Sequence, residues 1–310
     1  MKRTPKVSMG MPVYNGANYL VKALDSLLSQ SFTDFEIVIV DNASTDATEL
    51  ICKDYLGRDS RIKYFRNPSN VGAALNYQIA LEKTSGEYFK WAAHDDVYDA
   101  GWLKRCVDIL DSNPNVILAY TRTVFIDAND IEISRFNDPF RILEDKPYWR
   151  FRQMVVKLRW CHAIFGLMRR ELPAGLKPIG NYIGSDMVYL AELALYGKFI
   201  EDESYGFHRR MHNNSSQQAN RNVENLQEWY DPRTKGKLYL RHWRFLKEYA
   251  LCVSRAPVSV TQKLRCWAFL LRVANWNRDK LAQEASWALG ASRSDNRIQT
   301  SQPGVNPETL

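Results

Sequence analysis

The chain predicts an α/β fold built on a mostly parallel, doubly wound central sheet flanked by helices. Three observations lead there. Short apolar runs rich in β-branched residues alternate with amphipathic helical stretches, turn-forming residues bound each run, and several runs end in polar groups. With 310 residues, 45% hydrophobic and 25% charged, the chain can form one large core and a smaller subdomain.

The elements follow in order. Residues 7–13 and 35–40 read as buried parallel strands. Between them, residues 19–29 place Leu20, Ala23, Leu24, Leu27 and Leu28 at helical spacing, which completes a βαβ unit. The pattern repeats with a helix over 46–55, a strand over 62–66, a helix over 71–84 and a strand over 88–92. A helix over 102–112, a strand over 116–126 and a turn at 127–130 come next. From 136 to 149 proline, charge and aromatic residues replace the periodicity, and a long loop over the sheet is expected. Helix 149–158, strand 161–168, helix 185–196 and late strands at 198–202 and 205–210 complete a first domain, residues 1–216. Helical stretches over 234–254 and 258–289, separated by Ala256 and Pro257, predict a C-terminal helical subdomain over 217–290. Residues 291–310 are rich in Ser, Gln, Asn, Pro and Gly, and disorder is expected there.

Composition removes several function classes. No apolar run approaches the roughly 20 residues that cross a bilayer, and the N-terminal apolar stretch carries no cleavage pattern, so a cytoplasmic location is expected. The cysteines, Cys52, Cys106, Cys161, Cys252 and Cys266, are odd in number and never in a Cys-x-x-Cys pair, which supports neither a disulfide framework nor a zinc site. The formal charge of +7 is uneven, with roughly 17 basic against 8 acidic residues from 205 onward. Such a bias can mean an anionic membrane, nucleic acid or a phosphorylated ligand, with a solvated basic face the commoner explanation, and the partners expected here do not include nucleic acid.

Chemistry gathers at strand ends. The apolar run that begins at Tyr88 stops abruptly at Asp95 and Asp96. In open α/β sheets ligands lie outside the carboxyl ends of the strands, so this pair is expected to face a crevice. Hard oxygen ligands there suit Mg²⁺ or Mn²⁺, which in turn hold phosphate oxygens. The competing role for Asp95 is a cap on the helix that begins near Asp99. Residues 12–15 close the first strand and residues 41–46 the second. Asp41 could accept a hydrogen bond from a base N–H, whereas Asp46 reads best as a helix cap.

Residues 7–127 resemble an inverting glycosyltransferase of family 2, with the nucleotide-diphospho-sugar (GT-A) fold. The resemblance rests on ordered segments: 7–16, 36–46, Asn70 and Gly72 with Asn76, 85–88, and 94–96. It implies that Pro12, Tyr14 and Asn15 line the nucleotide, that Asp41 contacts the base, and that Asn70, Gly72 and Asn76 shape the ribose and diphosphate side. Asp95 and Asp96 would form the Asp-x-Asp-type metal motif, with Asp96 the principal metal contact and Asp95 the ribose or second contact. The sequence departs from the family in one place: Ala93 stands where many relatives carry an acid, followed by His94. That leaves His94 between a diphosphate contact and a hydrogen-bonded strand-end residue.

Sugar transfer needs a base for the acceptor proton and a cation for the departing diphosphate. The family's catalytic carboxylate falls at Asp186, whose alternative is a first-turn acid interacting with the helix dipole. Residues 207–216 resemble the family's closing Arg-x-His-x-x-Ser pattern. They offer His212 as a second metal ligand, diphosphate contact or plain loop histidine, and Arg209 or Arg210 as phosphate contacts. Trp160, Cys161 and His162 fall where the acceptor would enter.

The implied activity is metal-dependent, inverting transfer of a sugar from a nucleotide-diphospho-sugar to a hydroxyl of a glycan or lipid-linked acceptor, as in polysaccharide biosynthesis. Two competitors remain. A sugar nucleotidyltransferase would need a Gly-rich, Lys-containing N-terminal loop that is missing, and a non-catalytic scaffold would not need Asp41, Asp95, Asp96 and Asp186 together. In the C-terminal helices Trp243, Leu246, Tyr249 and Ala250 fall on one stripe. Leu264, Trp267, Phe269, Leu270, Leu271 and Val273 form an apolar surface broken by Arg265 and Arg272. Packing on the catalytic domain, a homodimer, or peripheral attachment to the inner face of an anionic membrane would each cover such faces.

Overall fold

The computed structural model describes residues 4–137, 140–158, 160–171, 176–212 and 222–290. The tail expected to be disordered, 291–310, and the serines that close the Arg-x-His-x-x-Ser pattern lie outside them. The α/β fold is present. Strands β1 (Val7–Val13), β2 (Phe35–Asp41), β3 (Ile62–Arg66) and β4 (Tyr88–Trp91) pair in the order β3-β2-β1-β4, and every pairing among them is parallel. Helices α1 (Leu20–Leu28), α2 (Thr48–Arg58) and α3 (Ala73–Glu82) make the crossovers.

The uninterrupted apolar runs of β1 and β2 have a direct cause. Both strands are buried along their whole length because helices cover both faces. Phe35, Ile37 and Ile39 join the core that includes α1 and α4 (Trp102–Ser112), while Val38 and Val40 turn to Ala80 of α3. Trp91 is fully buried, and its indole N–H donates to Tyr77 O of α3 at 3.1 Å.

Beyond β4 the sheet changes direction. Strands β5 (Val97–Tyr98), β6 (Val116–Ile126), β7 (Glu132–Arg135), β8 (Leu167–Arg169) and β9 (Lys198–Arg210) extend it in the order β4-β8-β6-β9-β5, with β7 on the free side of β6. The β4–β8, β6–β8, β6–β7 and β5–β9 pairings are antiparallel. The strand expected over 161–168 is instead a 3-10 turn at His162–Phe165 followed by the short β8, because the backbone closes on itself there, with Gly166 N donating to Ala163 O at 3.0 Å. The two late strands are one continuous β9.

By packing, the chain divides into two compact units that interleave along the sequence. One comprises Met1–Arg141, His162–Glu171 and Phe199–Ala219, the other Ile142–Cys161, Leu172–Lys198 and Asn220–Leu310. The second holds α5 (Pro147–Lys157), α6 (Ser185–Tyr196), α7 (Val223–Tyr230), α8 (Arg241–Arg255), α9 (Val260–Trp276) and α10 (Arg278–Ala288). The helical stretch expected over 258–289 breaks at Asn277, which separates α9 from α10. Two buried ions fasten this unit. Arg150 donates to Ala194 O at 2.7 Å and Leu195 O at 3.2 Å, meeting carbonyls that the end of α6 leaves without helical partners. Glu284 of α10 accepts from the backbone N–H groups of His242 and Trp243 at the start of α8.

Candidate functional site

The parallel pairing places the ends of β2, β1 and β4 at one edge of the sheet, with β1 in the middle. The loop after β1 is knitted to the loop after β2. Asn15 adopts a left-handed φ of 49°, which a short amide tolerates, and its side-chain oxygen accepts from Thr45 N at 2.8 Å. Asn15 N donates to Ser44 Oγ at 2.9 Å, Gly16 N to Thr48 Oγ1 at 2.8 Å, and Ala17 N to Asp46 Oδ2 at 3.0 Å. Asp46 also accepts from Thr48 N at 3.0 Å, but the cap position of α2 falls at Ala47, so Asp46 braces the start of the helix from one residue before the cap the sequence suggested. Pro12 is buried within β1, whereas Tyr14 is 41% exposed at the rim.

A lattice of amides holds the next loop. Asn42 donates to Asn70 Oδ1 at 2.8 Å and accepts from Asn67 Nδ2 at 3.1 Å and Val71 N at 2.9 Å. Asn70 Oδ1 also accepts from Gly72 N at 2.9 Å. Asn76 is buried, donates to Val40 O at 3.0 Å and accepts from Asn67 Nδ2 at 2.9 Å. Asn70, Gly72 and Asn76 are thus brought together as expected of neighbours. Asn42 and Asn67, to which sequence reasoning gave no role, complete the lattice. Pairing their amides with each other is how a polar cluster stays buried without leaving donors unmet.

Asp41 ends β2 with no exposed surface. Its carboxylate accepts from the Ser44 backbone N–H at 2.8 Å and the Tyr64 hydroxyl at 2.8 Å, and it pairs with the Arg66 guanidinium. Tyr64 and Arg66 come from the neighbouring β3, two residues apart on the same side of the strand.

The carboxylate pair lies at the exit of β4. Asp96 is buried, and its Oδ1 accepts from Arg210 N at 2.9 Å. Burial, and then the charge of Asp95, push the Asp96 carboxyl up to about 7. Burial also pushes Asp95 up, but the neighbouring His94 and the hydrogen-bonded His212 outweigh it and hold Asp95 below the usual range. The His212 ring nitrogen Nε2 lies 2.9 Å from Asp95 Oδ2, and the ring packs 4.6 Å from that of Tyr19. The capping alternative for Asp95 is not realised: Gly101 N donates to Asp99 Oδ1 at 2.9 Å and Leu103 N to Gln30 Oε1 at 2.8 Å at the start of α4.

Arg210 clamps this end. Its side chain is fully buried; Nε donates to Asp95 O at 2.8 Å, one terminal nitrogen to Asp127 O at 2.9 Å, and the other pairs with Asp130. The guanidinium also stacks over Tyr19, 4.8 Å from its ring centre. The fork that sequence offered to a phosphate is therefore committed to protein oxygens, and Arg209 acts on Asp96 through its charge. His94 packs against the first loop so closely that a Cβ on Gly16 would lie 2.6 Å from its Cδ2. His162 is buried among the rings of Phe125, Phe136 and Phe207, and burial drives its basicity well down.

By donor chemistry, carboxylates with an imidazole alongside are the hard and borderline donors that Mn²⁺ and Mg²⁺ take. Among the described residues no group of three or more His, Cys, Asp or Glu side chains that could hold a metal ion by itself is found. A cation held by Asp95, Asp96 or His212 would thus complete its shell with ligand oxygens, the usual arrangement for Mg²⁺ beside phosphates.

Asp186 belongs to the second unit, in the first turn of α6, and its Oδ1 accepts from Met187 N at 3.0 Å. The turn before it is rigid. Gly184 has a φ of +81°, and a Cβ there would stand 2.3 Å from Phe245 Cζ.

The sequence model of glycosyl transferase family 2 matches residues 8–172. An uncharacterized glycosyltransferase of Rickettsia typhi is 31% identical over 206 residues, which cover 66% of this chain and 61% of that protein, so the chain spans about three fifths of its relative. TarS of S. aureus, solved in complex with UDP-GlcNAc, superposes with a TM-score of 0.62 at 17% identity, covering 93% of this chain and 76% of that one. The mannosyltransferase PcManGT of Pyrobaculum calidifontis, in complex with GDP-Man and Mn²⁺, gives a TM-score of 0.51 at 16% identity, covering 94% of this chain and 89% of that one. At these identities the two structures share the fold.

Proposed function

The chain belongs to glycosyl transferase family 2, and from that premise we propose that it transfers a sugar from a nucleotide-diphospho-sugar to a hydroxyl of a glycan or lipid-linked acceptor, with inversion. One observation carries the reading: Asp41 and the Asp95–Asp96 pair close strands on either side of β1, at one edge of a parallel sheet. The relatives point the same way, since TarS was solved with UDP-GlcNAc and PcManGT with GDP-Man and Mn²⁺.

In this reading Pro12, Tyr14 and Asn15 line the nucleotide, Asp41, itself covered, fixes Tyr64 and Arg66 on the base side, and the loop held by Asn70, Gly72 and Asn76 borders the ribose and diphosphate. Asp96, with Asp95 and His212, would hold Mn²⁺ or Mg²⁺, and such a cation would supply charge neutralisation to the leaving diphosphate. Asp186 takes the acceptor's proton. His94 and Arg209 border the diphosphate and Arg210 positions the carboxylate pair, while His162, which the sequence offered to the acceptor, is held inside the aromatic cluster of Phe125, Phe136 and Phe207. Residues 1–216 supply the catalytic domain and 217–290 a helical accessory. The enzyme works on the cytoplasmic side, at the inner face of the membrane where a lipid-linked acceptor resides.

The test is a thermal-shift panel of nucleotides and nucleotide sugars with Mn²⁺ or Mg²⁺, followed by a transfer assay with the donor it identifies. Binding to the native state must raise the melting temperature, so a metal-dependent shift with one diphosphate family names the donor class. Asp186→Asn is expected to lower transfer at least a hundredfold while keeping the donor-induced shift. Full turnover in that variant removes Asp186 as the base, and a flat panel removes the donor reading.

A further inference from the structure

Helix α9 carries an exposed apolar stripe. Val260, Leu264, Trp267 and Leu271 are 73%, 62%, 40% and 74% exposed. Their spacing of four, three and four residues places them within about 60° of one another around the helix axis. The opposite face is the buried one, with Cys266, Phe269 and Leu270 turned inward toward neighbouring helices of the same unit. A single exposed leucine is ordinary, whereas four large apolar side chains aligned on one exposed face mark a surface that receives something.

Charge identifies the occupant. Between Glu248 and Asp279 the chain carries Arg255, Lys263, Arg265, Arg272 and Arg278 and no acidic residue. Arg255 is spent on the buried Glu192, and the Lys263 ammonium donates to Ser254 O at 2.6 Å. Arg265 and Arg272 remain on the exposed surface of α9, one heptad apart on the flank beside the stripe, about 100° round the helix from Leu264 and Leu271. A second copy docked on this stripe would bring arginines against arginines with no carboxylate from the segment to offset them. An anionic lipid surface offers both partners at once: acyl chains for the stripe and phosphates for the edge. No helix among the described residues is long and apolar enough to cross a membrane, so the geometry is one of lying on the surface.

We infer that α9 lies in the interfacial plane of an anionic lipid bilayer, with Val260, Leu264, Trp267 and Leu271 facing the acyl region and Arg265 and Arg272 at the headgroups. The inference deepens the lipid-linked acceptor of the proposed function and depends on that reading for its purpose, while its geometry stands apart from the donor site. The test uses the whole chain and vesicles free of nucleotide and sugar acceptor, so its failure leaves the donor reading untouched. Phosphatidylcholine vesicles containing about a third phosphatidylglycerol should float the protein at low salt, pure phosphatidylcholine vesicles should not, and raising salt to about 0.5 M should weaken binding at least tenfold. Leu264→Gln with Leu271→Gln should lose at least tenfold in vesicle binding with an unchanged melting temperature, and Arg265→Gln with Arg272→Gln should bind phosphatidylglycerol no better than phosphatidylcholine. Absence of flotation, wild-type flotation by the leucine variant, or a dimer that this variant splits while flotation persists would each overturn the inference.

Discussion

The strand-end edge of the first unit and the outer face of α9 in the second handle their side chains in opposite ways. At the strand ends, buried polar groups are bound to polar neighbours: Asn42 to Asn70, Asn76 to Asn67, Asp41 to Tyr64 and Arg66, Arg210 to the Asp95 and Asp127 carbonyls. On α9, apolar groups stand in water with no such closure. The strand ends therefore have their geometry fixed before any ligand arrives, and side-chain losses there register as lost stability. The α9 face contributes little to folding, so losses there register only in what it touches.

The largest expected effect falls on the clamp. Arg210→Met leaves the Asp95 and Asp127 carbonyls without their donor and removes one of the two cations on Asp130, which keeps Lys22; it should destabilise the protein by about 3 kcal/mol, read as a lowered melting temperature in calorimetry. A melt unchanged from wild type would mean that the loop at 127–130 is held by something else. Next comes Gly184→Ala, which forces a Cβ into a left-handed turn and against Phe245; about 2 kcal/mol is expected by chemical denaturation. That loss would show that the helical unit also has strict positions, at the start of α6 rather than on α9.

A smaller, pH-dependent effect falls at the opposite edge of the same sheet, where β1 and β2 begin. Glu36 is buried and accepts from Ser8 Oγ at 2.6 Å and from Ser85 N at 3.0 Å, and it pairs with Lys63 at 2.5 Å. Burial pushes its carboxyl up, but the bonds from Lys63, Ser8 and Ser85 prevail and hold it below the ordinary 4.5. Its stabilisation is complete above a pH of about 4.5 and is lost as pH falls through the folded value. Glu36→Gln should cost about 1.5 kcal/mol at pH 7, and the gap should close on acidification. Parallel stability curves down to pH 3 would contradict this. The smallest effect is on α9, where Leu264→Gln with Leu271→Gln should change stability by no more than about 0.5 kcal/mol despite removing two large apolar groups.

The parallel half of the fold was legible because β1 and β2, covered on both faces, read as unbroken apolar runs, and α1 and α4 show their buried stripes at helical spacing. The antiparallel half was less so. Strand β5 has only two residues, every residue of β7 is exposed, and neither leaves a hydrophobic signature. The 3-10 turn at His162–Phe165 buries consecutive residues and so imitates a strand. Among site residues, Asp41, Asp95 and Asp96 stood out because a carboxylate ending an apolar run is conspicuous. Asn42 and Asn67 did not, since their role comes from partners that composition cannot pair, 25 to 30 positions away for Asn42 and 9 and 25 for Asn67. The commitment of Arg210 was equally hidden, because its acceptors are backbone carbonyls at 95 and 127.

Strand β9 runs 13 residues, the longest among those described, and its pairing of His208 with Val97 fixes where Arg210 and His212 fall. The first of these grips the main chain of Asp95, the second its carboxylate. The strand thus works as a ruler whose last graduations aim the acidic pair. Sliding it by a single residue would point both basic groups to the wrong face and disarm the pair without altering one side chain, so the length of the segment between 97 and 212 is as much a part of the chemistry as the aspartates themselves.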